Sequence, residues 1–482
     1  MIYPLLGNNM EGWINRIVEE ERRKRDKPLE AKKIGQNYYL YESTTVWLKG
    51  KKKRKKLSRY IGKITEKGIV EGERRKRYTR SIYEYGNAQL LMDIATELIP
   101  PLKEVFPDDY KEIIATSIVR VIQSTPLKLI KSRWEKLSLS REITTSLSPN
   151  TLSEKLRFIG SDWDAQRRFF AHLLSKSKYL LFDLSSVVSH SEDLRLAEKG
   201  YNSDHLYLKQ VNFALIFSYD HNIPVMIKAM PGSIRDIKSF KHIIREMDLN
   251  SYAIVLDRGF SSYYLPHLLR EREMKFILPL RRNLKIIDYN LGMKGCFIYR
   301  KRGINWGKKR TGHHFIYLFE DVKLRAEEET TFIELIRKGK RRQGEILKER
   351  KKFGKVAILS NIDAEGEEIY LLYKEREDIE VAFDAMKNEL ENDKIYLSND
   401  DAVRGYFFIS FLSLYLYFRI LNMLRQKGLV GKISVNEVLF ELSKVYLVYY
   451  TDGEKKLSEI PAKIEEINRL LGLNLFPKNL RS

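Results

Sequence analysis

The sequence is nearly without cysteine: Cys296 is the only one among 482 residues. An intramolecular disulfide and a cysteine-based zinc site are therefore excluded, because both need several sulfur ligands. Histidine is sparse too, at eight, and only His313 and His314 adjoin. Neighbouring residues cannot both face one ion from a regular helix or strand, which argues against a histidine metal site. A long apolar run is also missing. The most apolar stretch, Tyr406 to Phe418, is shorter than the roughly 20 residues of a spanning helix. It is bounded by Arg404 and Arg419 and reads as a buried helix. Met1 to Trp13 carries Glu11 and lacks the basic-then-apolar order of a secretory signal, so the expectation is a cytoplasmic protein. No internal repeat or low-complexity block is present.

Negative charge is in deficit, and what is abundant instead is lysine and arginine. There are 87 Lys plus Arg against 64 Asp plus Glu, a formal balance of +23, so the long-range field attracts polyanions and nucleic acid is the first candidate partner. A chain this long predicts about two to four domains.

Residues 36–64 alternate apolar and polar in two runs, Tyr38 to Trp47 and Leu57 to Ile64. Between them stand Lys51, Lys52, Lys53, Arg54, Lys55 and Lys56, the pattern of a β-hairpin with a basic tip suited to phosphate contact. A solvated turn that only aids solubility is the plainer alternative, and Arg74 to Arg77 nearby tilt the reading toward DNA. Helical spacing over 87–176, with start signals at Ser148, Asn150 and Ser153, completes an N-terminal DNA-binding region of 1–176.

At Tyr179 the character changes to strands. Tyr179 to Val187, Val211 to Tyr219, Ile223 to Met230, Tyr252 to Asp257 and Lys275 to Leu280 are short apolar runs, with helical spacing at Asp236 to Met247. Two hairpin-linked strands followed by strand–helix alternation predict an α/β fold with a mixed sheet. The core so read has a first part at 177–282, a β-rich insertion subdomain at 283–360, a second part at 361–430 and a small helical C-terminal region at 431–482.

Asp183 interrupts an otherwise apolar strand, where an unpaired carboxylate costs several kcal/mol, so something must compensate it. Amides or an arginine would do so as well as a metal. Asp257 follows a second buried strand, at the end where open α/β sheets place their sites, and would equally serve as a cap for the next helix. Tyr373, Arg376, Glu380 and Lys387 fall on one helical stripe about 60° wide beside an apolar face formed by Ile379, Ala382, Phe383, Met386 and Leu390. Arg376 and Glu380 are also spaced for an ordinary i,i+4 ion pair. Three carboxylates on two strands and a helix suit two hard divalent ions such as Mg²⁺ or Mn²⁺, and such a pair of ions cleaves and joins phosphodiesters.

In these residues the chain resembles the DDE transposases of bacterial insertion sequences, in the branch marked by Y-x2-R-x3-E-x6-K. Tyr373, Arg376, Glu380 and Lys387 reproduce that spacing without a gap. The strand at Asp183, the Asp257-Arg258-Gly259-Phe260 segment and a long interval before Glu380 precede it in the family's order. The resemblance covers about residues 36–430. It implies an RNase H-like catalytic core, metal ligation by Asp183, Asp257 and Glu380, and phosphate contacts from Tyr373, Arg376, Lys387 and Arg258. It further implies action as a homodimer on the inverted repeats that end a transposon. Trp306, the only tryptophan of the insertion, would then stack on a flipped base, unless it is the core of a small subdomain. Two other functions fit the same residues: a nuclease without strand transfer, and a catalytically silent DNA-binding protein.

Overall fold

The computed structural model describes residues 12–48, 53–71, 78–201, 207–234, 236–250, 252–262, 264–390, 394–395 and 397–481. Two compact units make up the chain, residues 1–81 with 449–454, and residues 82–448 with 455–482.

In the first unit, helix α1 (Gly12–Arg25) buries Ile14 and Val18, four residues apart and hence on one face. Its last turn carries Arg22, Arg23, Lys24 and Arg25, the sign that the helix C-terminus favours. The helix lies on an antiparallel sheet of β1 (Leu29–Ile34), β2 (Asn37–Leu48), β3 (Lys53–Thr65) and β4 (Gly68–Glu71). Leu29, Ala31, Tyr38, Leu40 and Ile64 alternate inward to form the core under α1. The expected hairpin is thus two strands of a four-stranded sheet. Lys51 and Lys52 of its basic tip lie outside the described residues.

The second unit begins with helices, among them α2 (Tyr110–Ile122), α3 (Pro149–Ser161, capped by the Ser148 side chain) and α4 (Trp163–Leu174). These helices belong to the same compact unit as the large sheet. That corrects the grouping of 87–176 with the basic hairpin, and the cause is packing: α3 runs against a core helix through paired glycines. A Cβ on Gly160 would stand 1.7 Å from the Asp401 carbonyl oxygen, and one on Gly405 would stand 2.0 Å from that of Leu156.

The large sheet has 11 strands among the described residues. Its centre is formed by β5 (Tyr179–Ser189), β6 (Tyr207–Ser218), β7 (Ile223–Pro231), β8 (Ala253–Leu256) and β9 (Lys275–Pro279), with α5 (Asp236–Glu246) linking β7 to β8. The order is β7-β6-β5-β8-β9. The first three strands are a meander of antiparallel neighbours, and β8 and β9 run parallel to β5. From β9 the sheet continues through the insertion: β10 (Gly295–Tyr299), β11 (Arg302–Thr311), β12 (His314–Asp321), helix α6 (Val322–Arg337) and β13 (Lys355–Ser360). Because β13 pairs antiparallel with β9, the insertion extends the core sheet and is not the separate subdomain that the sequence suggests. The pairing supplies ladder partners to what would otherwise be a bare strand edge.

Beyond the insertion come α7 (Gly366–Lys374), α8 (Glu377–Asp384) and α9 (Asp400–Gln426). By length and composition α9 would pass for a membrane span, yet 78% of its most apolar window is buried inside the protein. It is a core helix, with Phe408 tilted against and Phe411 edge-on to Phe170 of α4, and Phe407 against Phe213 of β6. The C-terminal segment, expected to be helical, also holds strands at Tyr446–Tyr450 and Lys455–Leu457.

Candidate active site

Register in the sheet decides where the first two acids meet. Phe182 of β5 pairs with Leu256 of β8, so Asp183 and Asp257, the next residue on each parallel strand, emerge side by side. Strand alternation sends Phe182 to one face, where its ring meets Phe240 and Phe260 at 4.8 and 5.4 Å. Asp183 therefore turns to the other face, where Phe213 of β6 holds Phe383 of α8 at 5.6 Å and so seats that helix over the acids. Asp257 ends its strand and its side chain also accepts from the Gly259 amide, so the capping role weighed for it is real as well.

Helix α8 carries Glu380, and the residue at its start, Arg376, joins all three carboxylates. The Arg376 Nη1 lies 2.9 Å from Asp257 and 4.0 Å from Asp183, and Nη2 lies 2.8 Å from Glu380. Burial works to lower the Arg376 pKa, but Asp257, Glu380 and Asp183 outweigh it, so the guanidinium is held more firmly charged than usual. The side chain of Asp183 is 19% exposed, that of Asp257 33% and that of Glu380 54%, so the pocket opens to solvent on the Glu380 side. Three carboxylates gathered on one positive group form an all-oxygen set with an excess of negative charge. Such oxygens are the ligand class that hard divalent cations take, but with the Arg376 guanidinium between them the three acids do not close into a metal-holding group among the described residues.

The helix bearing the four-residue signature is not continuous, contrary to the single stripe read from the sequence. Tyr373 lies in the last turn of α7, Glu375 and Arg376 form a turn, and the amides of Arg376, Asp378 and Ile379 bond three residues back. That tightening turns Arg376 in toward the sheet. After Asp384 the backbone widens into a π-helical turn, Ala385–Glu389, which holds Lys387 half-buried. Tyr373 and Arg258 line a cleft of about 380 Å³ with Arg282, Tyr370 and Lys374. Sequence reasoning did not single out Arg282 or Lys374. The only signal for them was their position beside Arg281 and Tyr373.

Trp306 is a second correction. It is 8% exposed on β11, and a Cβ on Gly366 would lie 2.1 Å from its ring. The ring is packed in the core of the insertion and presents no face on which a base could stack. Lys308, next along that strand, pairs with Asp363, and Lys309 lies 3.6 Å from Asp288. In the first unit, Lys53, Arg54 and Lys55 fall within β3, and Lys56 is exposed and paired with Glu30 at 2.6 Å. That pairing offsets part of the positive charge assigned to the tip.

Residues 176–416, half of the chain, match the family described as the transposase DDE domain. The chain belongs to the DDE transposase family. The matched span holds Asp183, Asp257, Glu380 and the whole insertion between them. A piggyBac transposase synaptic complex with hairpin DNA is a similar solved structure, at 12% sequence identity and a TM-score of 0.39, covering 74% of this chain and 78% of that one. No curated protein matches the chain in sequence.

Proposed function

We propose that this chain is a cut-and-paste DNA transposase that cleaves the ends of its element and joins them to target DNA. Its catalytic carboxylates are Asp183, Asp257 and Glu380. The observation that carries the reading is the meeting of those three side chains, from two parallel strands and a distant helix, on the single guanidinium of Arg376. The β7-β6-β5-β8-β9 order and directions support an RNase H-like core.

The three acids would hold two divalent ions of the magnesium class, which when bound supply the activation of water or a 3′-hydroxyl and the stabilisation of the leaving oxygen. The chain's own residues do the rest. Arg376 is placed to pass from its carboxylates to a scissile phosphate, which its planar fork can grip through two parallel bonds. Arg258, Arg282 and Lys374 around Tyr373 fix the backbone that leads into the site, and Lys387 adds a point charge from the π-helical turn. The partly enclosed position of Asp183 limits bulk water around the reacting phosphate, which strengthens each of these contacts. The enzyme works inside the cell as a homodimer on paired inverted repeats, with the basic sheet of the first unit contributing phosphate contacts.

The test is incubation of the full-length protein with DNA carrying the repeats that flank its gene, in Mg²⁺ or Mn²⁺, with cleaved ends and joined products resolved on sequencing gels. Cleavage and strand transfer are expected, and Asp257→Ala should reduce both by at least about a thousandfold, as expected when a catalytic group is lost. Cleavage without joining would identify a nuclease. Cleavage that survives Asp257→Ala would sink the assignment of the site.

A further inference from the structure

A second cleft lies in the second unit, apart from the carboxylate site. It has a volume of about 620 Å³ and lies along the outer strand β7, between α4 and α9 on one side and α5 on the other. Its floor is apolar, with Leu196, Ile227, Met230 and Phe407, and its rim is basic, with Lys238, Lys241, His242, Arg245 and Arg404. No acidic side chain lines it. Lys238 and Arg245 have no acidic partner among the described residues, so the rim carries uncompensated charge.

Two features mark the cleft as built for a ligand. The Trp163 Nε1 faces no hydrogen-bond partner although it is buried, a donor whose desolvation costs on the order of 1–3 kcal/mol when nothing accepts from it. Beside it the Lys228 ammonium sits 3.9 Å from the centre of the Trp163 ring, paired with Glu246 and 14% exposed. Burial lowers the Lys228 pKa, and Glu246 pulls it back. A buried indole donor and a buried ammonium thus flank an apolar floor beneath a basic rim on which Lys238, His242 and Arg245 are exposed. A planar ring with acceptor atoms and an attached anion satisfies all three.

Position selects among such ligands. Lys228 pairs across the sheet with Ala214, and Ala214 with Leu184, the residue after Asp183. Lys228 is therefore level with the carboxylates and two strands away, on the order of 10 Å at the usual strand spacing, but on the sheet face opposite Asp183, because Leu184 and Asp183 alternate. DNA held at Asp183 advances about 3.4 Å per base along one strand, so a strand that leaves the carboxylates round the outer edge of the sheet at β7 reaches the cleft after several nucleotides. We propose that this cleft is a nucleotide subsite, taking one unpaired base of the bound DNA onto its apolar floor and the adjoining phosphate onto Lys238, Lys241 and Arg245. The inference rests on the reading of the chain as a protein that acts on DNA, but not on its cleaving it.

The experiment is equilibrium binding of the full-length protein, in EDTA so that no strand is cut. Its probes are a blunt duplex, the same duplex with a five-thymidine tail, and that duplex with a five-residue abasic tail. The thymidine tail should bind about tenfold more tightly than the abasic one, the size of one stacked and hydrogen-bonded base. Lys238→Glu with Arg245→Glu, at solvent-facing positions, should weaken binding of both tails by about tenfold or more relative to the blunt duplex. Lys323→Glu in α6 with Lys338→Glu just past its end makes the same change in net charge and should leave the tail preference within about twofold. Ala229→Phe, which fills the cleft, should abolish the thymidine preference while abasic binding persists. Its melting curve is recorded alongside, and the charge variants decide the matter if it does not fold. Equal affinity for thymidine and abasic tails, or a tail preference untouched by Lys238→Glu with Arg245→Glu, overturns the subsite. Absence of cleavage in Mg²⁺ with the tail preference intact would sink the catalytic reading and leave the subsite standing.

Discussion

With its two terminal nitrogens 2.9 and 2.8 Å from Asp257 and Glu380, Arg376 acts as the counter-ion that lets three acids share one pocket. Replacing it by glutamine should therefore destabilise the metal-free protein by about 1–3 kcal/mol, the scale of a lost charge-assisted contact at a partly enclosed site. Added Mn²⁺ should raise the melting temperature of Arg376→Gln more than that of the parent, because in the parent the ion must first displace the guanidinium. Calorimetric melts in EDTA and in Mn²⁺ check this, and equal shifts for both proteins would count against it. Tyr85 offers a second single-residue test, remote from the chemistry. It is 6% exposed, its hydroxyl donates to the Leu475 carbonyl at 3.1 Å, and burial pushes its pKa up to about 12. Because the folded value lies above the unfolded one near 10, the contribution of Tyr85 is complete below about pH 10 and lost as pH rises toward 12. Urea melts between pH 9 and 11.5 should show a decline that is shallower in Tyr85→Phe. At this scale the sequence was informative where one residue contradicts its surroundings, as Asp183 does in an apolar strand. It was also right to weigh the i,i+4 pair, since Arg376 and Glu380 do pair while Arg376 serves the other two acids. For Trp306 it left the stacking and core readings both open, because burial of a ring depends on a glycine 60 positions later and leaves no local trace.

Elements were legible where periodicity is strong and hidden where their partners are distant. The five central strands and α9 follow from apolar runs and helical spacing. The insertion's strands were also visible as short runs, yet their pairing with β9 was not, because partner choice in a sheet is a long-range contact. β1 escaped notice because Leu29 to Ile34 is half charged and buries only Leu29 and Ala31. The break at Glu375 and Arg376 has neither proline nor glycine to announce it. One crossing is open to direct trial. Gly160 and Gly405 let α3 and α9 touch backbone to backbone, so Gly405→Ala must push the helices apart and should cost at least about 1–3 kcal/mol. Gly428→Ala, just past the end of α9 in open space but at φ +63°, is a control that suffers strain without a clash and should cost about 1 kcal/mol. Denaturant melts that rank the two in the opposite order would contradict the close crossing.

For the molecule as a whole, the formal +23 forecasts DNA affinity that falls steeply with salt. Neutralising Lys51 to Lys56 should flatten that dependence. A plot of log affinity against log salt is the measurement, and an unchanged slope would remove the basic run from the interface. Overall charge and the succession of strands along the chain were readable from composition and pattern, whereas the division at residue 81 was not, since it follows from which helices pack on which sheet. The continuation of the sheet through β13 bears on how such a protein can be shortened. A version trimmed of residues 283–360 would keep every carboxylate yet leave the backbone amides and carbonyls of β9 unclaimed. Such a minimised enzyme would be expected to self-associate and precipitate, so any attempt to miniaturise this scaffold must retain at least the strand that seals that flank.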